Sequence, residues 1–167
     1  MVSWLTNLFR PEETRDWPDV RPAPLTLDLS RQSLNNVRLG DPADRLKLIG
    51  RPKFGKTGDV RYYDYPTLGM QACASPGGIV SFGVAIGDVE PSIPPAQSLT
   101  LMYRGRSITI KRATRLSEVA TALGVTPKED RGEDDDEIMA SFPAGDAECS
   151  IECAADGKVL WVELTKD

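Results

Sequence analysis

The stretch LTLDLSRQSLNNVRLGDPADRLKLIG, Leu25 to Gly50, returns without a gap as LTLMYRGRSITIKRATRLSEVATALG, Leu99 to Gly124. Leu25-Thr26-Leu27, Ser33-Leu34, Asp44 and Ile49-Gly50 fall on Leu99-Thr100-Leu101, Ser107-Ile108, Glu118 and Leu123-Gly124 at a constant spacing of 74 residues. Farther along, the match loosens through insertions. Tyr65-Pro66 aligns with Phe142-Pro143, and Gly78 to Phe82 aligns with Gly157 to Trp161. A duplication constrains the fold because both copies must satisfy one order of elements. The chain therefore divides into an N-terminal amphipathic segment and proline-rich linker (1–24), repeat 1 (25–87), a second linker (88–98) and repeat 2 (99–167). Each repeat, at about seventy residues, is marginal as an independent core, so one compact body is expected.

Within repeat 1, Leu25 to Leu29 alternates apolar and polar residues as a half-buried strand does, and Leu34, Val37 and Leu39 continue it as a hairpin. Gly40-Asp41-Pro42-Ala43-Asp44 starts a short helix: Asp41 caps, Pro42 has the dihedral of a first helical position, and Gly50 with Pro52 marks the stop. After a glycine-rich loop, Val60 to Tyr65, Met70 to Ala74 and Ile79 to Ile86 read as three antiparallel strands. Repeat 2 repeats the plan. Strands are expected near Leu99 to Tyr103 and Ser107 to Lys111, a helix near Arg115 to Leu123 behind a Thr114 cap, and strands near Glu137 to Phe142, Ala147 to Ala154 and Val159 to Thr165. The expected fold class is α+β: in each copy an antiparallel sheet with one short helix.

Composition excludes several functions. A net charge of −5 is the wrong sign for a general binder of phosphate backbones, so nucleic acid is not an expected partner. No stretch reaches the roughly 18 apolar residues of a membrane span, which argues against integral membrane association. Cys73, Cys149 and Cys153 are odd in number and too few for a secreted disulfide framework, so reduced thiols and a cytoplasmic setting are expected. The chain contains no histidine, which removes Ser/His and Cys/His nucleophilic pairs and the commonest general base. No catalytic residue and no metal ligand set is assigned. Cys149 and Cys153 share one strand face with Ile151 and read as buried apolar thiols.

One local pattern offers a nucleotide site. Gly50-Arg51-Pro52-Lys53-Phe54-Gly55-Lys56-Thr57 satisfies G-x-x-x-x-G-K-[ST], in which Gly55, Lys56 and Thr57 would be the cofactor-binding residues. A working phosphate loop joins a preceding strand to a following helix. Here a helical pattern precedes Gly50 and a strand-like run follows, and the equivalent Gly124 leads into Val125-Thr126-Pro127-Lys128 with no trace of the motif. No cofactor is therefore expected. The acidic run Glu129 to Glu137, including Asp134, Asp135 and Asp136, lacks the spacing of a calcium loop and reads as a solvated hairpin or a steering surface. Its counterpart in repeat 1 carries Arg51, Lys53, Lys56 and Arg61.

Trp4, Leu5, Leu8 and Phe9 lie on one helical face behind Ser3, a face suited to docking on the protein's own body or on a partner. Tyr62, Tyr63 and Tyr65 straddle a strand, so Tyr63 and Tyr65 share one face. Two tandem copies of a short capped helix against an antiparallel sheet resemble the β-lactamase inhibitor proteins. The unit G-D-P-x-D-x-L-x-x-I-G-x-P, Gly40 to Pro52, is similar to small SmpA/OmlA-type outer-membrane assembly domains. These resemblances imply a protein-binding role and transfer no site residue. The leading expectation is a noncatalytic protein-binding module, of inhibitor or immunity type, with Trp4, Phe9, Tyr63, Asp134, Asp135 and Asp136 as candidate partner contacts. The alternatives are a nucleotide-binding protein using residues 50–57 and a structural adaptor acting through its N-terminal helix.

Overall fold

A computed structural model describes residues 12–89, 93–131 and 137–166. The alternation read in repeat 1 produces β1 (Leu25–Asp28), β2 (Ser33–Leu34), β3 (Val37–Arg38), β4 (Lys53–Thr57), β5 (Val60–Tyr65), β6 (Met70–Ser75) and β7 (Gly78–Ala85). Repeat 2 produces β8 (Leu99–Tyr103), β9 (Arg106–Ile110), β10 (Lys128–Arg131), β11 (Glu137–Ala144), β12 (Ala147–Ala154) and β13 (Val159–Thr165). These strands form a five-stranded sheet in the order β3-β2-β1-β8-β9 and an eight-stranded sheet in the order β10-β11-β12-β13-β7-β6-β5-β4.

The α+β expectation is thereby corrected: the fold is mostly β. The helix expected after Asp41 is a six-residue 3-10 segment, Ala43–Leu48, with only Leu46 buried. The aligned segment of repeat 2 is equally long, but where it buries Leu116 and Val119 this one has Pro42 and Arg45, so it lacks the apolar stripe whose burial would support an α-helix. One α-helix, α1 (Leu116–Leu123), is found among the described residues. It follows Arg115, whose backbone N–H is accepted by the Glu118 carboxylate at 2.8 Å, so the start lies one residue beyond the expected Thr114 cap. Its spacing buries Leu116, Val119 and Leu123, and Gly124 ends it in the left-handed conformation (φ 67°).

The two copies merge at two places. In the small sheet β1 and β8 run parallel, pairing Leu25 with Leu99 and Leu27 with Leu101, the same residues that the sequence repeat aligns. In the large sheet β7 and β13 run antiparallel, pairing Phe82 with Leu164, Gly83 with Glu163 and Val84 with Val162. One buried cluster joins the inner faces of both sheets to α1, so neither copy has a core of its own. Cross-links between the sheets reinforce it: the Tyr103 hydroxyl donates to the Pro143 carbonyl at 3.2 Å, and the Gln32 amide donates to the Ala144 carbonyl at 2.8 Å and to Asp146. Lys166 and Gln32 together hold the Asp146 carboxyl down at about 2.

The segment before β1 packs as part of the body. Trp17 stacks on Tyr63 with rings 6.1 Å apart and nearly parallel, and the Arg51 guanidinium donates twice to the Trp17 carbonyl, at 3.1 and 2.7 Å. Gly50 is fixed by this packing as well as by helix termination. Its φ is 126°, and a Cβ there would stand 2.6 Å from the Val20 Cα, so only glycine lets the two backbones pass.

Candidate functional site

The inner face of the eight-stranded sheet is core, and its outer face is partly exposed, although Ser81, Gly83 and Ala85 of the central strand β7 are covered there. Alternation along β13 sets Val162 and Leu164 inward and Glu163 and Thr165 outward. Continued without interruption, it would turn Trp161 outward, Leu160 inward and Val159 outward. The ladder slips instead: Glu152 pairs with Trp161, while its neighbour Cys153 pairs with Val159, leaving Leu160 as an extra residue. This bulge returns Val159 to the core, where it is fully buried, and leaves the largest side chain of the strand on the open face.

The indole then lies across β7. A Cβ added to Gly83 would stand 1.9 Å from Trp161 Cζ2, so the ring occupies the space that any other residue's side chain would need. Around it on the same face are Gln71 of β6, paired with Gly83 on one side, Glu163 of β13, paired with Gly83 on the other, and Glu152 of β12, directly across from Trp161. Gln71 donates to the Asp64 carboxylate of β5 at 2.7 Å and accepts a weak contact from the Cys73 thiol at 3.8 Å. Met139 of β11 continues the surface and is 46% exposed. Partial burial raises the Cys73 thiol pKa; Glu163 and Asp64 push it the same way and a hydrogen bond with Ser81 opposes them. Burial, aided by Glu137, raises the Glu152 carboxyl.

Among the described residues, the acids of this surface form no salt bridge. Seven salt bridges join described residues, and none involves Asp64, Glu148, Glu152 or Glu163. The described residues also contain no group of three or more acidic, cysteine or histidine side chains able to hold a metal ion. Their concavities are shallow, such as a groove of about 310 Å³ between Pro22–Leu25 and Thr67-Leu68 that carries no charged group. The surface thus offers one broad aromatic and acidic patch, suited to contact with another macromolecule.

The residues singled out in the sequence lie elsewhere. Tyr63 is wholly buried under Trp17 with its hydroxyl beside Arg61, which corrects its candidacy as an exposed contact; burial raises its pKa. Trp4, Phe9, Asp134, Asp135 and Asp136 lie outside the described residues. Gly55, Lys56 and Thr57 lie on β4, an edge strand paired with β5 through a turn at Gly58-Asp59. The loop expected there is therefore a hairpin arm. An extended strand turns successive amides to opposite edges and cannot gather them around a phosphate, and no helix follows to supply an N-terminus. Cys149 and Cys153 are buried beside Ile151, with burial pushing the Cys153 thiol up to about 12.

Sequence reading missed Trp161, Gly83 and Glu152. A signal was present: Val159-Leu160-Trp161-Val162 places four apolar residues where strict alternation allows two, which marks a bulge or a doubly buried strand.

No family model matches the chain, and no curated protein matches it. Among solved structures, an extracellular protein containing an SCP domain from Bacillus anthracis str. Ames is similar at a TM-score of 0.49 and 14% identity, over 77% of this chain. This chain spans 44% of the length of that protein. A DUF4309 family protein from Bacillus subtilis subsp. subtilis str. 168 is similar at a TM-score of 0.48 and 14% identity, over 80% of this chain and 84% of its own.

Proposed function

We propose that the protein is a noncatalytic protein-binding module whose contact surface is the outer face of the eight-stranded sheet, centred on Trp161. The observation that supports this most directly is the placement of Trp161. With Val162 and Leu164 inward, it turns outward and lies over a glycine, in a face whose carboxylates have no salt bridge among the described residues. Burying an indole inside would stabilise the fold more than leaving it half-exposed, by about 25 cal/mol per Å² of apolar area. A binding role supplies the missing gain, since tryptophan is enriched among the residues that dominate interface energetics.

Among the described residues no helix is long and apolar enough to cross a membrane, in keeping with a partner met in solution. The test is site-specific photocrosslinking in the native host, with the crosslinker placed at Met139 or Ser150 on the open face and, as a control, at Leu48, which is 57% exposed on the 3-10 segment. The expected result is one protein captured from Met139 and Ser150, not from Leu48, and lost on Trp161→Ala. Equal capture from all three positions would overturn the assignment of the surface.

A further inference from the structure

We propose that the partner of this face presents an arginine whose guanidinium seats on Trp161 between Glu152 and Glu163. The inference rests on the reading of the open face as the contact surface and adds the chemistry of what binds there. In register, Glu152 stands directly across the ladder from Trp161, which places paired Cβ atoms about 4.5–5.5 Å apart. Glu163 is two residues along the same strand on the same face, beside Gly83, where the benzene half of the indole rests. An aromatic ring flanked by two carboxylates is complementary to a planar cation: the ring attracts it through its quadrupole, and the carboxylates accept its N–H groups.

Among the described residues, no basic side chain forms a salt bridge in this seat. The basic side chains aligned with this face in the ladder are Lys53 on β4 and Lys128 on β10, at opposite edges of the sheet, and Lys158 before β13 with its bridge partner Arg115; Lys158 is held by Asp156, and none of the four has a salt bridge to Glu152 or Glu163. Elsewhere the protein pairs its acids readily, as Asp146 with Lys166 and Asp156 with Lys158. Burial first, and Glu137 second, raise the Glu152 carboxyl, and an external cation would favour its charged form against both. Guanidinium is favoured over ammonium because it stacks on a ring and donates in two directions at once, whereas a lysine acts as a point charge with a stronger hold on water. A phosphate-bearing partner is repelled by the same carboxylates.

The test uses the full-length protein labelled with ¹⁵N at tryptophan, its Trp161 indole signal assigned by Trp161→Phe. The probes are a short strand-forming peptide with one central arginine and its twin carrying citrulline, which keeps the shape and loses the charge. The arginine peptide should shift the Trp161 signal to saturation, and the citrulline twin should bind about tenfold more weakly or worse. Glu152→Gln with Glu163→Gln should weaken the arginine peptide by a similar factor and leave the rest of the spectrum in place. Equal binding of the two peptides, no effect of the double substitution, or no shift at millimolar peptide would each overturn the proposal. The two readings fail separately: a partner crosslinked from Met139 in a Trp161-dependent way, with no preference for arginine, keeps the interface and removes the seat. An arginine-specific shift with no protein captured from the open face keeps the seat and removes the interface.

Discussion

The two halves of the eight-stranded sheet, β4 to β7 and β10 to β13, share strand order and pairing, and they share a bulge. In the first half the slip falls between Cys73 and Ala74, leaving Val80 extra, and in the second between Glu152 and Cys153, leaving Leu160 extra. Matching bulge to bulge sets Ser81 against Trp161 and Phe82 against Val162, one residue away from the sequence alignment, which sets Phe82 against Trp161. The displacement arises in the turn before the last strand, where Ser75-Pro76-Gly77-Gly78 is answered by the longer Ala154 to Lys158. Phe82 faces the core and Trp161 does not, so their aromatic likeness is misleading.

The halves then differ in two ways. On the inner face, Tyr63 and Phe82 of the first half stand where the second has Ala140 and Val162, and the added volume lies under Trp17. On the outer face, Ser81 and Cys73 stand where the second half has Trp161 and Glu152. Inner differences are matched by packing in the core, while the outer difference at Trp161 is met by Gly83 of the neighbouring strand. That separation makes the outer face of the second half the place to test for the proposed contact surface, and four tests can break it.

The largest effect belongs to the inner face. Tyr63→Ala removes a ring that is fully buried and stacked on Trp17, and should cost about 3–5 kcal/mol in urea unfolding. A loss under about 1 kcal/mol, the range of ordinary surface sites, would show that the Trp17 segment does not complete the first half.

Next is the junction of the halves at Gly83. Gly83→Ala places a methyl group where Trp161 Cζ2 now lies, so the indole must leave its seat at about 1–3 kcal/mol. Gly83→Ala in a Trp161→Ala background should lose most of that cost. A double-mutant cycle measured by thermal unfolding would expose an error here, since additive penalties mean that ring and glycine do not interact.

Which parts could be read from the sequence follows from where the information lies. Strands with strict alternation, such as Ala147 to Ala154, are visible because every second residue is apolar, and the burial of Cys149 and Cys153 follows from the same rule. The helix expected in repeat 1 fails because cap and stop residues mark ends without guaranteeing an apolar stripe between them: Pro42 and Arg45 stand where α1 has Leu116 and Val119. The strand at Lys53–Thr57 was hidden by its glycine and two lysines, and it forms because β5 offers it an edge to pair with. Tyr63 stays a candidate contact in the sequence, beside its reading as a core residue, because nothing in its own strand reveals that Trp17, far back in the chain, covers it. Trp161 is hidden for a related reason: Val159 and Val162 are both inward because of a slip of one residue in the ladder, which blurs the alternation around it, and its seat is a glycine in a strand from the other copy.

A third variant series compares thiols across the halves. In the native protein at mildly alkaline pH, Ellman's reagent should modify Cys73, the half-buried thiol of the open face, and leave Cys149 and Cys153 until unfolding. Since Glu163 and Asp64 both raise the Cys73 pKa, Glu163→Gln or Asp64→Asn should lower it, increase the thiolate fraction and speed modification. A slower rate in either variant would contradict the assigned placement of these carboxylates. Loss of Cys149 at the same rate as Cys73 would mean that the second half opens as readily as the first.

The smallest effect on stability, and the sharpest on function, should come from making the second half like the first. Trp161→Ser installs at the second bulge the residue that occupies the first, in a strand position that Ser81 shows to be compatible with the fold. The indole lies outside the core, over Gly83 and across from Ala85, so its loss should cost about 1 kcal/mol in thermal unfolding, less than a core truncation. Serine on an open sheet face finds water for its hydroxyl, so no buried polar group is left unpaired. If Trp161 were instead a structural cover for the thin strand backbone at Gly83, the substitution would cost as much as a core truncation, about 3 kcal/mol or more. A near-neutral stability change combined with loss of the crosslinked partner separates the two roles, because a cover acts on folding and a contact acts on binding. A large stability loss would return Trp161 to the fold and leave the open face without its anchor.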